Sequence, residues 1–240
     1  MAYYRQDPAV RRKADASPVT AADEAADELI TAALRELTPA IPAVAEESSA
    51  QFAGRAPGRT FWLVDPLDGT KEFIHERDEF TVNIALIEDG APVLGVVHLP
   101  ARGETYAGAA GLGAVMIDAQ GRRPIRCRAL PAEGAVVAVS RSHGDRAADG
   151  ALLGGVPVAG EIQAGSALKF CLVARGDADL YPRAGRTMEW DTAAGHAVLR
   201  AAGGEVVDRE GRPLAYGKPG FENPAFLAYG LRQQSIGRIQ

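Results

Sequence analysis

Asp65 and Asp68 stand three positions apart in the run Phe61-Trp62-Leu63-Val64-Asp65-Pro66-Leu67-Asp68-Gly69-Thr70. Phe61 to Val64 read as a buried strand, which therefore ends by presenting two carboxylates on a tight turn. Burying one carboxylate is unfavourable, and burying two side by side is worse unless a positive charge sits between them. A hard divalent cation suits the pair, because it prefers carboxylate and carbonyl oxygens. Gly69 permits close backbone approach, and a helical turn after it would point free N–H groups at an anion. Carboxylate-held metals beside an amide nest suit a phosphate ester. The metals would polarise the phosphoryl and leaving oxygens. A hydroxyl such as Thr70, partnered by an acid, can orient the attacking water.

Further acids end regular segments: Glu46 with Glu47, Asp191, and Asp23. Each also has a plainer reading. Asp191 precedes a helical pattern and is a possible N-cap. Asp23 follows Thr20 by three, the spacing of a capping box. Glu46 and Glu47 fit a solvated loop. Asp65 and Asp68 resist such a reading, since two acids closing an apolar strand make a poor structural turn.

The elements that must carry these residues are legible in outline. Ala22, Ala25, Ala26, Leu29, Ile30, Ala33, Leu34 and Leu37 predict a helix over 20–37, stopped by Pro39 and Pro42. β-rich runs at 80–88 and 92–99, split by Asp89-Gly90, predict a hairpin. Short runs at 104–107, 113–117 and 124–128 continue a meander, with a turn expected at 121–124. Beyond residue 130 the pattern alternates: a strand at 135–140, a helix at 166–175 closed by Gly176, and a strand at 178–181. A second helix follows at 191–202, ended by Gly203-Gly204, and then the strand Glu205–Asp208. This predicts an α+β half over 1–132 and an α/β half over 133–240.

Bulk properties narrow the function. The chain has 240 residues, enough for a substantial core. A hydrophobic content of 47% with 24% charged residues is ordinary for a globular protein. A net charge of -5 argues against a broad nucleic-acid surface, while leaving room for a small phosphate pocket. Cys127 and Cys171 lie far apart and form no zinc motif, which points to a reduced compartment. No apolar run reaches the roughly 18 residues of a membrane span, and the basic N-terminus lacks the apolar core of a secretory signal.

The Asp65–Thr70 motif, with Glu46-Glu47 before it and Trp190-Asp191-Thr192-Ala193-Ala194-Gly195 after it, resembles the inositol monophosphatase superfamily of lithium-sensitive, Mg-dependent phosphomonoesterases. The resemblance spans Ser17 to Phe226. It looks most like the CysQ-type 3'(2'),5'-bisphosphate nucleotidases, through residues 17–23, 62–73, 79–87, 140–143, 165–176 and 180–199. Lys71-Glu72-Phe73 stands where inositol phosphatases usually carry Thr-Asn-Phe. The resemblance implies a layered αβαβα sandwich of the inositol monophosphatase/fructose-1,6-bisphosphatase type, with the site between its halves. It also implies a first helix, which this sequence is expected to lack.

By the same resemblance, Glu46, Asp65 and the Leu67 carbonyl hold one Mg2+, and Asp65, Asp68 and Asp191 a second. A third, weaker ion leans on Glu46, and Mn2+ is an expected substitute. Thr70 with Asp23 activates the water, and the Gly69 and Thr70 amides cradle the scissile phosphate. His143, Ser166, Lys169 and Arg183 contact the nucleotide and its other phosphate, which needs a cation pair. The implied reaction is removal of the 3'-phosphate from adenosine 3',5'-bisphosphate, or from its sulfated form. An inositol or other sugar monophosphatase with the same metal core is the alternative. The partner expected is this small molecule, not a nucleic acid. The chain is expected to be a monomer or homodimer in the cytoplasm, with peripheral inner-membrane contact through its basic N-terminus as a further option.

Overall fold

The computed structural model describes residues 4, 11–12, 18–52, 57–141 and 145–231. A seven-stranded sheet comprises β1 (Ala43–Ala45), β2 (Thr60–Asp68), β3 (Thr81–Glu88), β4 (Ala91–Leu99), β5 (Glu104–Ala109), β6 (Gly113–Asp118) and β7 (Gly121–Ile125), paired in chain order. Only β1 and β2 run parallel; the rest form an antiparallel meander. A five-stranded sheet is built from β8 (Ala135–Ser140), β9 (Val158–Ala164), β10 (Leu180–Arg183), β11 (Glu205–Asp208) and β12 (Phe226–Tyr229), in the order β9-β8-β10-β12-β11.

Side-chain alternation assigns the layers. Along β2, Phe61 and Leu63 enter the central core, whereas Trp62 and Val64 face the opposite way, onto Leu34 of α1 (Ala21–Leu37). Along β8 and β10, Ala138 and Tyr181 join the central core, while Val137 and Leu180 face outward in a second cluster. Between the sheets lie α4 (Leu168–Ala174) and α5 (Glu189–Ala201), each buried over most of its residues. The short α3 (Arg146–Ala151) packs against β10 and helps line a hollow with the outward-facing Val137, Val139 and Pro182. The layers run α1, sheet, α4 and α5, sheet, α3: the αβαβα sandwich expected.

A helix buried on all sides must approach its sheets closely, which accounts for the small residues of α5. A Cβ on Gly95 of β4 would collide with the Ala194 carbonyl, and one on Gly195 would strike the Phe170 ring. The Asp89-Gly90 hairpin has φ of 50° and 76°, the left-handed pair a tight two-residue hairpin requires.

The structure corrects several expectations. Residues 121–124 are strand, not turn, and the reversal falls at 119–120. Glu46 and Glu47 open a 3-10 helix, Glu46–Phe52, rather than a loop. Asp191 is the third residue of α5, not its N-cap. β9, α3 and β12 have no counterpart in the sequence reading.

Candidate active site

β2 carries the two aspartates, and its pairing with β3 aims them. Asp65 pairs with Asn83 and Asp68 with Thr81, so three steps on β2 match two on β3. In a regular strand, residues three apart point to opposite faces. The one-residue bulge, at Pro66-Leu67, turns Asp65 and Asp68 to the same face. Asp68 Oδ2 there accepts from Thr81 Oγ1 at 3.2 Å and Asn83 Nδ2 at 3.3 Å.

Three other segments deliver the remaining acids. The parallel register Ala45↔Val64 brings Glu46 out beside Asp65. Asp191 comes from the first turn of α5, its Oδ2 accepting from the Met188 N–H at 2.8 Å. Asp23 comes from the first turn of α1 and is 2% exposed. Its Oδ2 accepts from both the amide and the hydroxyl of Thr20, at 2.8 and 2.6 Å, while Oδ1 faces Thr70 Oγ1 at 3.4 Å. The capping box and the contact to Thr70 are therefore one arrangement.

The opposite wall is the turn 165–167 at the carboxyl end of β9. Ser166, in the left-handed region at φ 48°, donates its hydroxyl to the Asp68 carbonyl at 2.9 Å. The Ala167 N–H reaches Asp68 Oδ2 at 2.7 Å. Gly69 has φ 88°, and a Cβ there would collide with Ser166 Oγ. The two turns interlock only because residue 69 has no side chain. Ser166, expected to contact the nucleotide, spends its hydroxyl on this interlock. Lys169 is 4% exposed and donates to the Ser166 carbonyl at 2.7 Å, with its ammonium 5.2 Å from the Tyr181 ring centre.

These residues line a cavity of about 490 Å3 that gathers Glu46, Asp65, Leu67, Asp68, Gly69, Thr70, Ser166, Lys169, Arg183 and Asp191. Asp23 lies behind Thr70. His143 lies outside the described residues. Tyr181 and Arg186 also line the cavity, as does Glu72, which the sequence marked only as part of Lys71-Glu72-Phe73 and not as a site residue. Glu72, 3% exposed, could have been noticed as a second acid just after Gly69-Thr70. Arg186, paired with Glu222 at 3.0 Å, carries no signal in the sequence.

Charge dominates the cavity. Burial first, and then the charges of Glu46, Asp68 and Asp191, push the Asp65 carboxyl well above the ordinary carboxylate range. Burial and Asp68 raise Asp191 likewise. Burial also raises Asp68, against the pull of Lys169 and the Ala167 amide. Lys169 is lowered to about 8, by burial first, with Asp68 opposing and the neighbouring Arg183 assisting. Acids and cations therefore share one cavity, with Lys169 acting on Asp68 and Arg183 on Asp191.

The donor set suits a hard cation. Asp65, Asp68 and Asp191 each commit one oxygen to the chain, Asp65 through Oδ1 to the Leu67 N–H at 3.0 Å. Among the described residues the second oxygen of each accepts no hydrogen bond. No three acid, histidine or cysteine side chains among the described residues close on a single point. A cation between these carboxylates would offset their mutual repulsion.

Fold and cleft together define a phosphomonoesterase of the metal-dependent sandwich type. The chain belongs to the inositol monophosphatase family, whose model matches residues 1–236. It is 50% identical over 218 residues to the 3'(2'),5'-bisphosphate nucleotidase CysQ of Escherichia coli, covering 89% of this chain and 86% of that one. The CysQ of Haemophilus influenzae is 32% identical over 241 residues, covering 95% and 86%. Among solved structures, CysQ from Bacteroides thetaiotaomicron superposes with a TM-score of 0.77 at 38% identity, over 92% of this chain and 88% of that one. The Thermotoga maritima IMPase gives 0.76 at 27% identity, over 95% and 85%.

Proposed function

We infer that the protein is a 3'(2'),5'-bisphosphate nucleotidase that hydrolyses the 3'-phosphate of adenosine 3',5'-bisphosphate to give AMP and phosphate. The observation that carries this reading is that one cavity is lined by an acid wall of Glu46, Asp65, Asp68 and Asp191 and also by the cations Lys169 and Arg183. A monophosphate needs only the acids and their metals. A substrate with two phosphates uses both sets. The inositol monophosphatase alternative is not favoured, because the relatives at 50% identity are bisphosphate nucleotidases.

In this reading Glu46, Asp65 and the Leu67 carbonyl hold one Mg2+, Asp65, Asp68 and Asp191 a second, and Glu46 supports a weaker third, with Mn2+ a competent replacement. The ions supply polarisation of the phosphoryl oxygens and a lowered water pKa. The chain supplies the rest. Thr70 Oγ1, held toward Asp23, receives a hydrogen bond from water and passes its own proton toward Oδ1. The Gly69 and Thr70 amides bind the scissile phosphate. Lys169, Arg183, His143 and the 165–167 turn fix the other phosphate and the nucleoside, so that the ester oxygen lies in line with the water. We assign the metal side mainly to residues 1–132 and the nucleotide side to 133–240, with Asp191 crossing over. We place the protein in the cytoplasm, consistent with its two buried free cysteines. No described helix is long and apolar enough to cross a membrane.

The test is phosphate release from adenosine 3',5'-bisphosphate with Mg2+ and with a chelator. Release that needs Mg2+ supports the reading. Release that survives both chelation and Asp68→Asn rejects it.

A further inference from the structure

Glu79 lies outside the acid cluster, in the segment between α2 (Thr70–Ile74) and β3. Its carboxylate reaches across to the other sheet. Arg141 donates through Nε to Oε2 and through Nη2 to Oε1, both at 3.0 Å. The Gly165 N–H donates to Oε2 at 2.9 Å. Arg102 adds a longer contact to Oε1 at 3.5 Å, and Arg141 Nη2 also holds the Gln163 carbonyl at 3.0 Å. Glu79 thus ties together the carboxyl ends of β8 and β9, where ligands of parallel sheets bind.

Both tied points adjoin the cavity. Arg141 directly follows Ser140, which lines it. Gly165 opens the turn whose Ser166 carbonyl holds the Lys169 ammonium. Glu79 itself does not line the cavity. Arg141 is 36% exposed at its side chain and Glu79 13%. The partly exposed Arg141 arm adds little to stability, but a bidentate fork fixes direction. Burial works against the charged form of Glu79, yet the Arg141 fork holds its carboxyl below the usual range, so the fork stays charged.

We propose that Glu79 is a positioning residue for substrate recognition: acting through Arg141 and Gly165, it sets the nucleotide side of the cavity in register with the metal side. This rests on the nucleotidase reading. It separates two jobs within one site. The acid wall does the chemistry on any phosphomonoester, and the Glu79 hub governs how well the second phosphate and the nucleoside are held.

The experiment is steady-state kinetics of the wild type, Glu79→Gln, Arg141→Ala and Arg141→Lys at saturating Mg2+. Each is assayed on adenosine 3',5'-bisphosphate and on p-nitrophenyl phosphate, with thermal melting alongside. Glu79→Gln and Arg141→Ala should raise KM for the bisphosphate about tenfold while kcat stays within about twofold. Arg141→Lys, which keeps the charge without the fork, should fall between them and the wild type. Turnover of p-nitrophenyl phosphate should be unchanged, and so should the melting temperature of the Arg141 variants. Equal losses on both substrates, a collapse of melting temperature in Arg141→Ala, or no change on either substrate would overturn the proposal. Should Glu79→Gln fail to fold, the accessible Arg141 variants decide the question. A wild type that hydrolyses p-nitrophenyl phosphate but not the bisphosphate overturns the nucleotide reading itself, and shows it before any variant is made.

Discussion

Thr70 Oγ1 lies 3.4 Å from Asp23 Oδ1, while Thr20 occupies the other oxygen of the same carboxylate through two hydrogen bonds. A helix cap thereby aims an acid at a hydroxyl 47 residues away. If this pair passes the proton of the attacking water, Asp23→Asn should lower kcat by roughly 10²–10⁴-fold, the usual reach of general acid–base catalysis. KM should change little. Weakening of the cap should cost about 1 kcal/mol. Kinetics and chemical denaturation of the same variant separate the two effects. A stability loss with normal kcat would confine Asp23 to the cap.

The acid wall carries opposing predictions with and without metal. Asp191 is raised by burial and by Asp68, so its charge destabilises the metal-free fold. Asp191→Asn keeps an acceptor for the Met188 N–H but removes that charge. Its melting temperature in chelator should exceed the wild-type value. Saturating Mg2+ should reverse the order, since a cation at a hundred times its dissociation constant adds about 2.7 kcal/mol to a protein that binds it. Melting curves in EDTA and in Mg2+ provide the check. The same order in both conditions would remove Asp191 from the ligand set.

Lys169 gives a pH prediction. Its ammonium is held at about 8 by burial, despite the pull of Asp68. Below that pH it is charged and binds phosphate; above it the charge is lost. A bound phosphate favours the ammonium, so the transition in the complex lies higher. KM for the bisphosphate should therefore climb as pH rises past about 8, while KM for p-nitrophenyl phosphate should not follow it. In Lys169→Ala the pH-dependent part should vanish and KM for the bisphosphate should be high throughout. Identical pH profiles for both substrates in the wild type would separate Lys169 from the second phosphate.

Gly69 carries a conformational constraint and a steric one at the same position. Its φ is 88°, and a Cβ would meet Ser166 Oγ. Gly69→Ala should lose about 1–2 kcal/mol from the left-handed backbone alone. Forcing Ser166 off the Asp68 carbonyl should also weaken Mg2+ activation. Ser166→Ala should relieve the clash and restore part of that activation in the double variant. Denaturation and Mg2+ titration of the three variants test this coupling.

What was legible from sequence follows from where information is local. The apolar run before Asp65 and the spacing of α1 announce themselves. Depth of burial does not: Leu34 of α1 is 7% exposed, yet Leu29 and Leu37 are 73% and 77% exposed. β9 escaped because it is a mostly exposed edge strand whose alternation over Gly160–Ala164 has Ile162 as its one large apolar residue. The bulge that aligns Asp65 with Asp68 depends on the β3 register, which no local pattern states. Glu46 resembled a loop acid until the Ala45↔Val64 pairing set it beside Asp65. Glu79 was unreadable because its partners lie 62 and 86 residues along the chain. Motif resemblance brought Lys169 and Arg183 forward where spacing could not, and gave Asp191, noted from its position but open to an N-cap reading, a ligand role; each reaches the cavity through tertiary packing.

The most direct measurement is inorganic phosphate released from adenosine 3',5'-bisphosphate by the wild type and by Asp68→Asn, each with Mg2+ and with EDTA. The account predicts release by the wild type in Mg2+, with AMP as the other product. It predicts background rates in the other three conditions. Equal release by Asp68→Asn, or wild-type release undiminished in EDTA, would contradict it.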